Sequence, residues 1–106
     1  MDLERLRRLV SIRRHVPNDR LPEYLELWTA LRTAVRAHGA HAWHFARAGE
    51  PELFIEFLEF GSDSDVRADE TVVQGIQALH DRFGDPYPPP MTLEEWVELP
   101  PLPEGQ

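Results

Sequence analysis

The 106-residue chain contains no cysteine, and all eleven of its basic side chains are arginine, so lysine is absent as well. Without a thiol there is no thiolate nucleophile, no disulfide and no cysteine-ligated metal cluster. Without lysine there is no Schiff base and no phosphate-loop lysine. Enzymes built on those groups are excluded. Long apolar runs are missing too: none approaches the roughly 20 residues that span a bilayer. The N-terminal "MDLERLRRLV" alternates charge with leucine where a signal peptide would carry an apolar core. The expectation is a cytoplasmic protein with no membrane partner. Positive charge is also in deficit, with 11 basic against 19 acidic side chains and a formal net charge of -8. That balance repels phosphate backbones and argues against nucleic acid.

What is present reads as one globular domain, 42% apolar and 28% charged. From Leu6 to Val16 the even positions Leu6, Val10, Ile12 and Val16 are apolar, while Arg7, Ser11, Arg13 and His15 occupy the odd ones. This alternation predicts a half-buried strand. Leu21, Tyr24, Leu25, Trp28, Leu31 and Val35 then recur at helical spacing, with Asn18 or Asp19 available as a cap, Pro22 in the first turn and Gly39 as the stop. Ala40 to Arg47 and Glu52 to Phe60 are two aromatic-rich strands joined by a turn at "AGEP". "SDSD" at 62 to 65 is a dense helix-start signal for a stripe of Val66, Val72 or Val73, Ile76, Leu79 and Phe83, closed by Gly84. Seven of the ten prolines lie beyond it, which leaves "TLEEWVEL" as the one segment able to pair as a fourth strand.

Strand, helix, strand, strand, helix, strand is the split βαβ order. It predicts an α+β, ferredoxin-like domain over residues 1–99, with both helices on one face of a four-stranded antiparallel sheet, and a proline-rich tail over 100–106. Strand three is apolar on both sides, Leu53, Ile55 and Phe57 alternating with Phe54, Leu58 and Phe60. Two helices can cover only one set. Assigning the second set, with Leu9, Trp43 and Phe45, to the open face gives a patch of several hundred Å², more than monomers usually expose. Burying it would contribute on the order of 5 to 10 kcal/mol gross, enough to favour a homodimer through the open sheet face.

The chain resembles the dimeric α/β-barrel superfamily, which includes antibiotic-biosynthesis-type monooxygenases and stress-responsive barrel proteins. The resemblance covers roughly residues 6 to 99. It rests on the element order, on the long first helix "DRLPEYLELWTALRTAV" and on "FLEFGSDSDV" at the junction of strand three and helix two. Members of the monooxygenase type often carry tryptophan, glutamate and a serine-led cap at that junction; here Phe60 and Gly61 stand in the first two places and only the cap matches. The resemblance implies a homodimer with a cleft for a small apolar molecule.

Within such a cleft Glu56, flanked by Phe54 and Leu58, is the sharpest candidate for proton transfer. Arg13 is its expected partner, either in steadying charge or as a plain cross-strand ion pair. Ser11, Phe54, Leu58 and Phe60 are expected to line the cleft, and Trp28 or Tyr24 to roof it or to serve as core. His44 shares its face with Ala42 and Ala46. If the alanines lie beneath the helices it is a hydrogen-bonded core histidine, and if they face the cleft it is a candidate base. His15, His38, His41, His44 and His80 show no ligand spacing, so no metal and no cofactor are expected. The expected function is binding or cofactor-independent transformation of a small organic molecule, of monooxygenase-like or isomerase-like type. The alternative is a non-catalytic assembly module whose aromatic face is only an oligomer interface.

Overall fold

Six elements follow one another in the expected order: β1 (Arg7–His15), α1 (Leu21–Ala37), β2 (His41–Arg47), β3 (Glu50–Gly61), α2 (Glu70–Phe83) and β4 (Glu94–Val97). The computed structural model describes residues 6–84 and 94–99. The connector after Gly84 and the proline-rich tail over 100–106 therefore lie outside the described residues. The strands form one antiparallel sheet in the order β2-β3-β1-β4. Both helices pack on the same face, around a core of Val10, Tyr24, Trp28, Leu31, Val35, Leu58, Phe60, Val72 and Leu79. This is the ferredoxin-like α+β arrangement. No helix among the described residues is long and apolar enough to cross a membrane.

The helix starts differ in detail from the sequence expectation. Asn18 and Asp19 do not cap α1; they form a 3-10 turn with Arg20 that runs straight into Leu21, and Pro22 occupies the first helical turn, where its missing N–H costs little. The acidic run before α2 also works in two stages. Asp65 accepts from Arg67 N to cap a 3-10 turn at Val66–Ala68, and Asp69 accepts from Val72 N to start the helix proper. α1 and α2 approach closely at Gly75. A Cβ there would lie 3.1–3.2 Å from Leu31 atoms, backbone Cα included, so glycine permits the contact despite its poor helix propensity.

The parity of β3 is the main correction. Phe54, Glu56, Leu58 and Phe60 are buried beneath the helices, and Leu53, Ile55 and Phe57 face the open side. The expected open-face set is thus exchanged for its neighbour. The β1–β3 ladder fixes this facing, setting Leu58 opposite Val10 and Glu56 opposite Ile12, and the β2–β3 hairpin agrees with it. An unbroken ladder from Arg47↔Glu50 would set His44 opposite Leu53, but an irregularity between Ala46 and Arg47 sets it opposite Glu56. The shift is three residues, an odd number, so Ala42 and His44 share a face with Leu58 and Glu56. An apolar open face survives with different members: Leu9, Leu53, Ile55 and Phe57, with Trp43 41%, Phe45 56% and Trp96 53% exposed. β4 is held to the rest by Trp96 Nε1 donating to Ser11 Oγ, and by Arg67, which sits over the Phe60 ring and bonds both Asp65 and Glu95.

Candidate functional site

A salt-bridged polar cluster lies between the sheet and the helices. Arg14, in the even phase of β1, is 2% exposed, and Glu56, in the even phase of β3, is 5% exposed. Arg14 Nε donates to Glu56 Oε2 at 2.9 Å and Nη2 to Oε1 at 3.3 Å, while Nη1 reaches the Gly84 carbonyl at the end of α2, 3.1 Å away. The fork geometry suits guanidinium and carboxylate, and it neutralises two charges that could not otherwise be buried. Tyr24, from the first turns of α1, donates its hydroxyl to Glu56 Oε2 at 2.8 Å. Its hydroxyl also lies 3.2 Å from His44 Nδ1 on β2. No buried side-chain nitrogen or oxygen among the described residues lacks a partner.

A single hydroxyl proton orders this chain of bonds. Because it goes to Glu56, which as a carboxylate can only accept, the Tyr24 oxygen must accept from His44, so Nδ1 carries the proton. Nε2 is left as a bare base with no partner among the described residues. Burial holds the Tyr24 hydroxyl far above the ordinary tyrosine range, and the Glu56 carboxylate adds to the effect, so Tyr24 stays neutral and serves as a connector. His44 is stacked on Trp28 with ring centroids 4.4 Å apart and planes 15° from parallel. Burial lowers its pKa, nearby Arg32 lowers it further, and Glu56 opposes both.

That depression has a measurable consequence. The unfolded chain takes up the imidazole proton at the ordinary value of 6.5, whereas the folded chain resists it. Stability from this site is therefore complete above about pH 6.5 and is lost as the pH falls below it. Urea unfolding at pH 7.5 and 5.5 should show a loss in the wild type that is smaller in His44→Gln. An equal loss in both proteins would remove His44 as the source.

Two spaces flank the cluster. Outside, where α1 meets the edge strand β2, a groove of about 300 Å³ is lined by Leu25, Trp28, Thr29, Arg32, Trp43, His44 and Phe45. Arg32 is exposed and has no acid partner among the described residues. Inside, a void of about 50 Å³ lies between the helices and the sheet.

The expected site residues are thus brought together only in part. Glu56, His44, Tyr24 and Trp28 form the cluster, with Phe54 against Tyr24 edge to face at 5.1 Å. Leu58 and Phe60 are core and do not line an open-face cleft. Arg13 pairs across the ladder with Ile55 and points to the open face, away from Glu56. Its expected role falls to Arg14, whose signal was legible: an arginine in the apolar phase of a strand requires a buried carboxylate. Ser11 also lies on the open face, bonded to Trp96. Of the alanines on the His44 face, Ala42 is buried beneath the helices and Ala46 is exposed; His44 itself is half-buried, lies 3.2 Å from the Tyr24 hydroxyl and lines the groove at the sheet edge. Glu59 pairs with Arg7 and His41. No group of three or more metal-ligating side chains occurs among the described residues.

No protein-family model matches the chain, and no curated protein matches it significantly. Solved structures do. A conserved protein from Methanosarcina mazei Go1 superposes with a TM-score of 0.64 at 14% identity, over 91% of this chain and 94% of that one. A candidate antibiotic biosynthesis monooxygenase from Nitrosomonas europaea gives 0.63 at 11% identity, over 99% and 98%. SnoaB, a cofactor-independent oxygenase from Streptomyces nogalater, gives 0.61 at 11% identity, over 96% and 99%. Such identities establish the fold alone. The chain has the ferredoxin-like α+β fold, as do these solved structures, antibiotic biosynthesis monooxygenase-like proteins among them.

Proposed function

We propose that this protein binds a small organic molecule in the groove between α1 and β2 and removes a proton from it without a cofactor, His44 Nε2 being the general base. One observation carries the reading: the Tyr24 hydroxyl has a single proton, its donation to Glu56 makes Nδ1 the donor to Tyr24, and His44, whose other ring nitrogen is then unprotonated, lines a groove of about 300 Å³. That volume is at the lower end of ligand pockets. On accepting a proton His44 becomes an imidazolium, whose Nδ1–H bond to Tyr24 and the Glu56 carboxylate behind it stabilise the new charge. The Arg32 guanidinium, without an acid partner among the described residues, is placed to hold the anion left on the substrate, and Trp28, Trp43, Phe45 and Leu25 supply apolar walls. Reprotonation of that anion at another atom is an isomerisation; its reaction with dioxygen gives a peroxide, and O–O cleavage with loss of water, the two electrons coming from a C–H bond of the substrate as it forms a carbonyl, leaves one oxygen atom in the product and completes a monooxygenation. The fold supports either, and SnoaB is a cofactor-independent oxygenase.

The same reading includes a homodimer through the open sheet face. Trp43 and Phe45 belong both to that face and to the groove, so a second subunit would wall the groove on its open side.

Nitrogen-15 NMR at neutral pH tests the base directly, with a protonated Nδ1 and a bare Nε2 expected on His44. Compounds that shift the Trp43 and Phe45 resonances would then be assayed for turnover. His44→Gln should reduce it at least about 100-fold while leaving affinity within a few-fold. The opposite tautomer, or turnover indifferent to His44, would eliminate the assignment. The second reading, an assembly module without chemistry, is favoured by the extent of the apolar open face; it predicts a stable oligomer and no compound that shifts the groove resonances.

A further inference from the structure

The interior void is a different kind of space from the groove. Val10, Leu31, Leu58 and Leu79 wall it, and its mouth lies at the half-buried Ile12, Ile76 and Arg67. At about 50 Å³ it could hold a few waters by volume, since one needs roughly 10–15 Å³ of such space. A buried water also needs two to four polar partners, whereas seven of the ten lining residues are apolar and each polar side-chain atom on the wall already has a protein partner. All three Arg14 nitrogens donate to Glu56 or to the Gly84 carbonyl. Glu56 Oε2 accepts from both Arg14 and Tyr24, and Oε1 accepts from Arg14. The three Arg67 nitrogens donate to Asp65 and Glu95.

We infer that this void is a dry site for one small apolar gas molecule of about the size of dioxygen. Packing side chains leave such a space without contacts on one side, and a gas atom or diatomic restores the lost dispersion while forfeiting no hydrogen bond. Larger hydrocarbons are excluded, because a benzene-sized guest occupies cavities of roughly 150 Å³. Trp28 lines both spaces and stacks on His44 at 4.4 Å, so a gas molecule held here is one indole away from the base. Where dioxygen is the gas, the site would store the second reactant beside the anion that His44 generates. That consequence rests on the proposed function; the gas site itself does not.

Xenon is the probe. Methyl carbon-13 spectra of the full chain under rising xenon pressure should show saturable shifts confined to Val10, Leu31, Leu58, Ile76 and Leu79. Ile76→Phe, which fills the mouth, should weaken the effect at least fivefold. If that variant does not fold, Val10→Ile, a smaller filling change on the sheet wall, should weaken it several-fold. Shifts that stay linear in pressure and spread over the surface, or nuclear Overhauser contacts from these methyls to long-lived water, would overturn the assignment. Combined with the His44 tautomer measured on the same sample, the outcomes separate. Saturation with a protonated Nε2 keeps the gas site and rejects the groove chemistry, and a bare Nε2 without saturation does the reverse.

Discussion

Arg14→Met should destabilise the fold by about 3 to 5 kcal/mol in urea unfolding, because it leaves the Glu56 carboxylate charged, buried and without its cation. The Gly84 carbonyl at the end of α2 loses its donor in the same substitution. Glu56→Gln should be comparably harmful, since it strands the guanidinium. Removing both charges is a different matter. The double variant Arg14→Met/Glu56→Leu replaces the pair with apolar groups of similar size and should recover most of the loss, as buried ion pairs often gain little over well-packed hydrocarbon. Strictly additive single effects, or a single variant costing less than about 1 kcal/mol, would show that the pair is not desolvated as described. The double variant also separates stability from function. With no carboxylate to accept its proton, Tyr24 is free to donate to His44 Nδ1, and the imidazole should switch to the tautomer protonated at Nε2. A protein that folds well and has lost its base is the expected result.

Phe57→Asp should convert a two-chain assembly into a single chain. Phe57 sits near the middle of the open face, opposite Ser11 and Trp43 on the flanking strands and edge to face with Phe45 at 6.0 Å. Ile55 and Leu9 continue the same surface, and Trp43, Phe45 and Trp96 are each between 41% and 56% exposed. A surface of this extent is unusual on a monomer. A carboxylate at its centre would have to be desolvated on association. The dissociation constant should therefore rise by two or more orders of magnitude, as expected for a central interface residue. Sedimentation over a range of concentrations measures this, with circular dichroism showing that the fold is kept. The proposal fails if the wild type sediments as one chain at high concentration, since Leu53, Ile55 and Phe57 would then be exposed without a partner. Because Trp43 and Phe45 also line the groove, any ligand of the wild type should bind Phe57→Asp more weakly.

Element order and type were legible because their signals are local. Alternation along Val10 to Val16, helical spacing from Leu21 to Val35 and glycines at 39 and 84 each depend on a few neighbouring residues. The facing of β3 was not legible. Leu53, Ile55 and Phe57 are as apolar as Phe54, Leu58 and Phe60, so hydrophobicity could not choose between them, and the choice shows only in the ladders, which set Leu58 opposite Val10 of β1 and Ala42 of β2. That facing carried the site with it. It placed Glu56 beneath the helices and made Arg14, not Arg13, its partner. Arg32 was missed for another reason: an exposed helical arginine carries no local mark of function until the fold sets it beside a histidine and a groove.

By itself the sequence determined which chemistries are barred, how the elements succeed one another, and that one sheet must be apolar on both sides. Composition and short-range periodicity are enough for those conclusions, since each is a property of neighbours along the chain. Only the tertiary structure decided which carboxylate meets which guanidinium and which histidine nitrogen is bare. Those outcomes depend on strand register and on the direction of a single hydroxyl proton, and both are fixed by contacts between residues 20 to 42 positions apart.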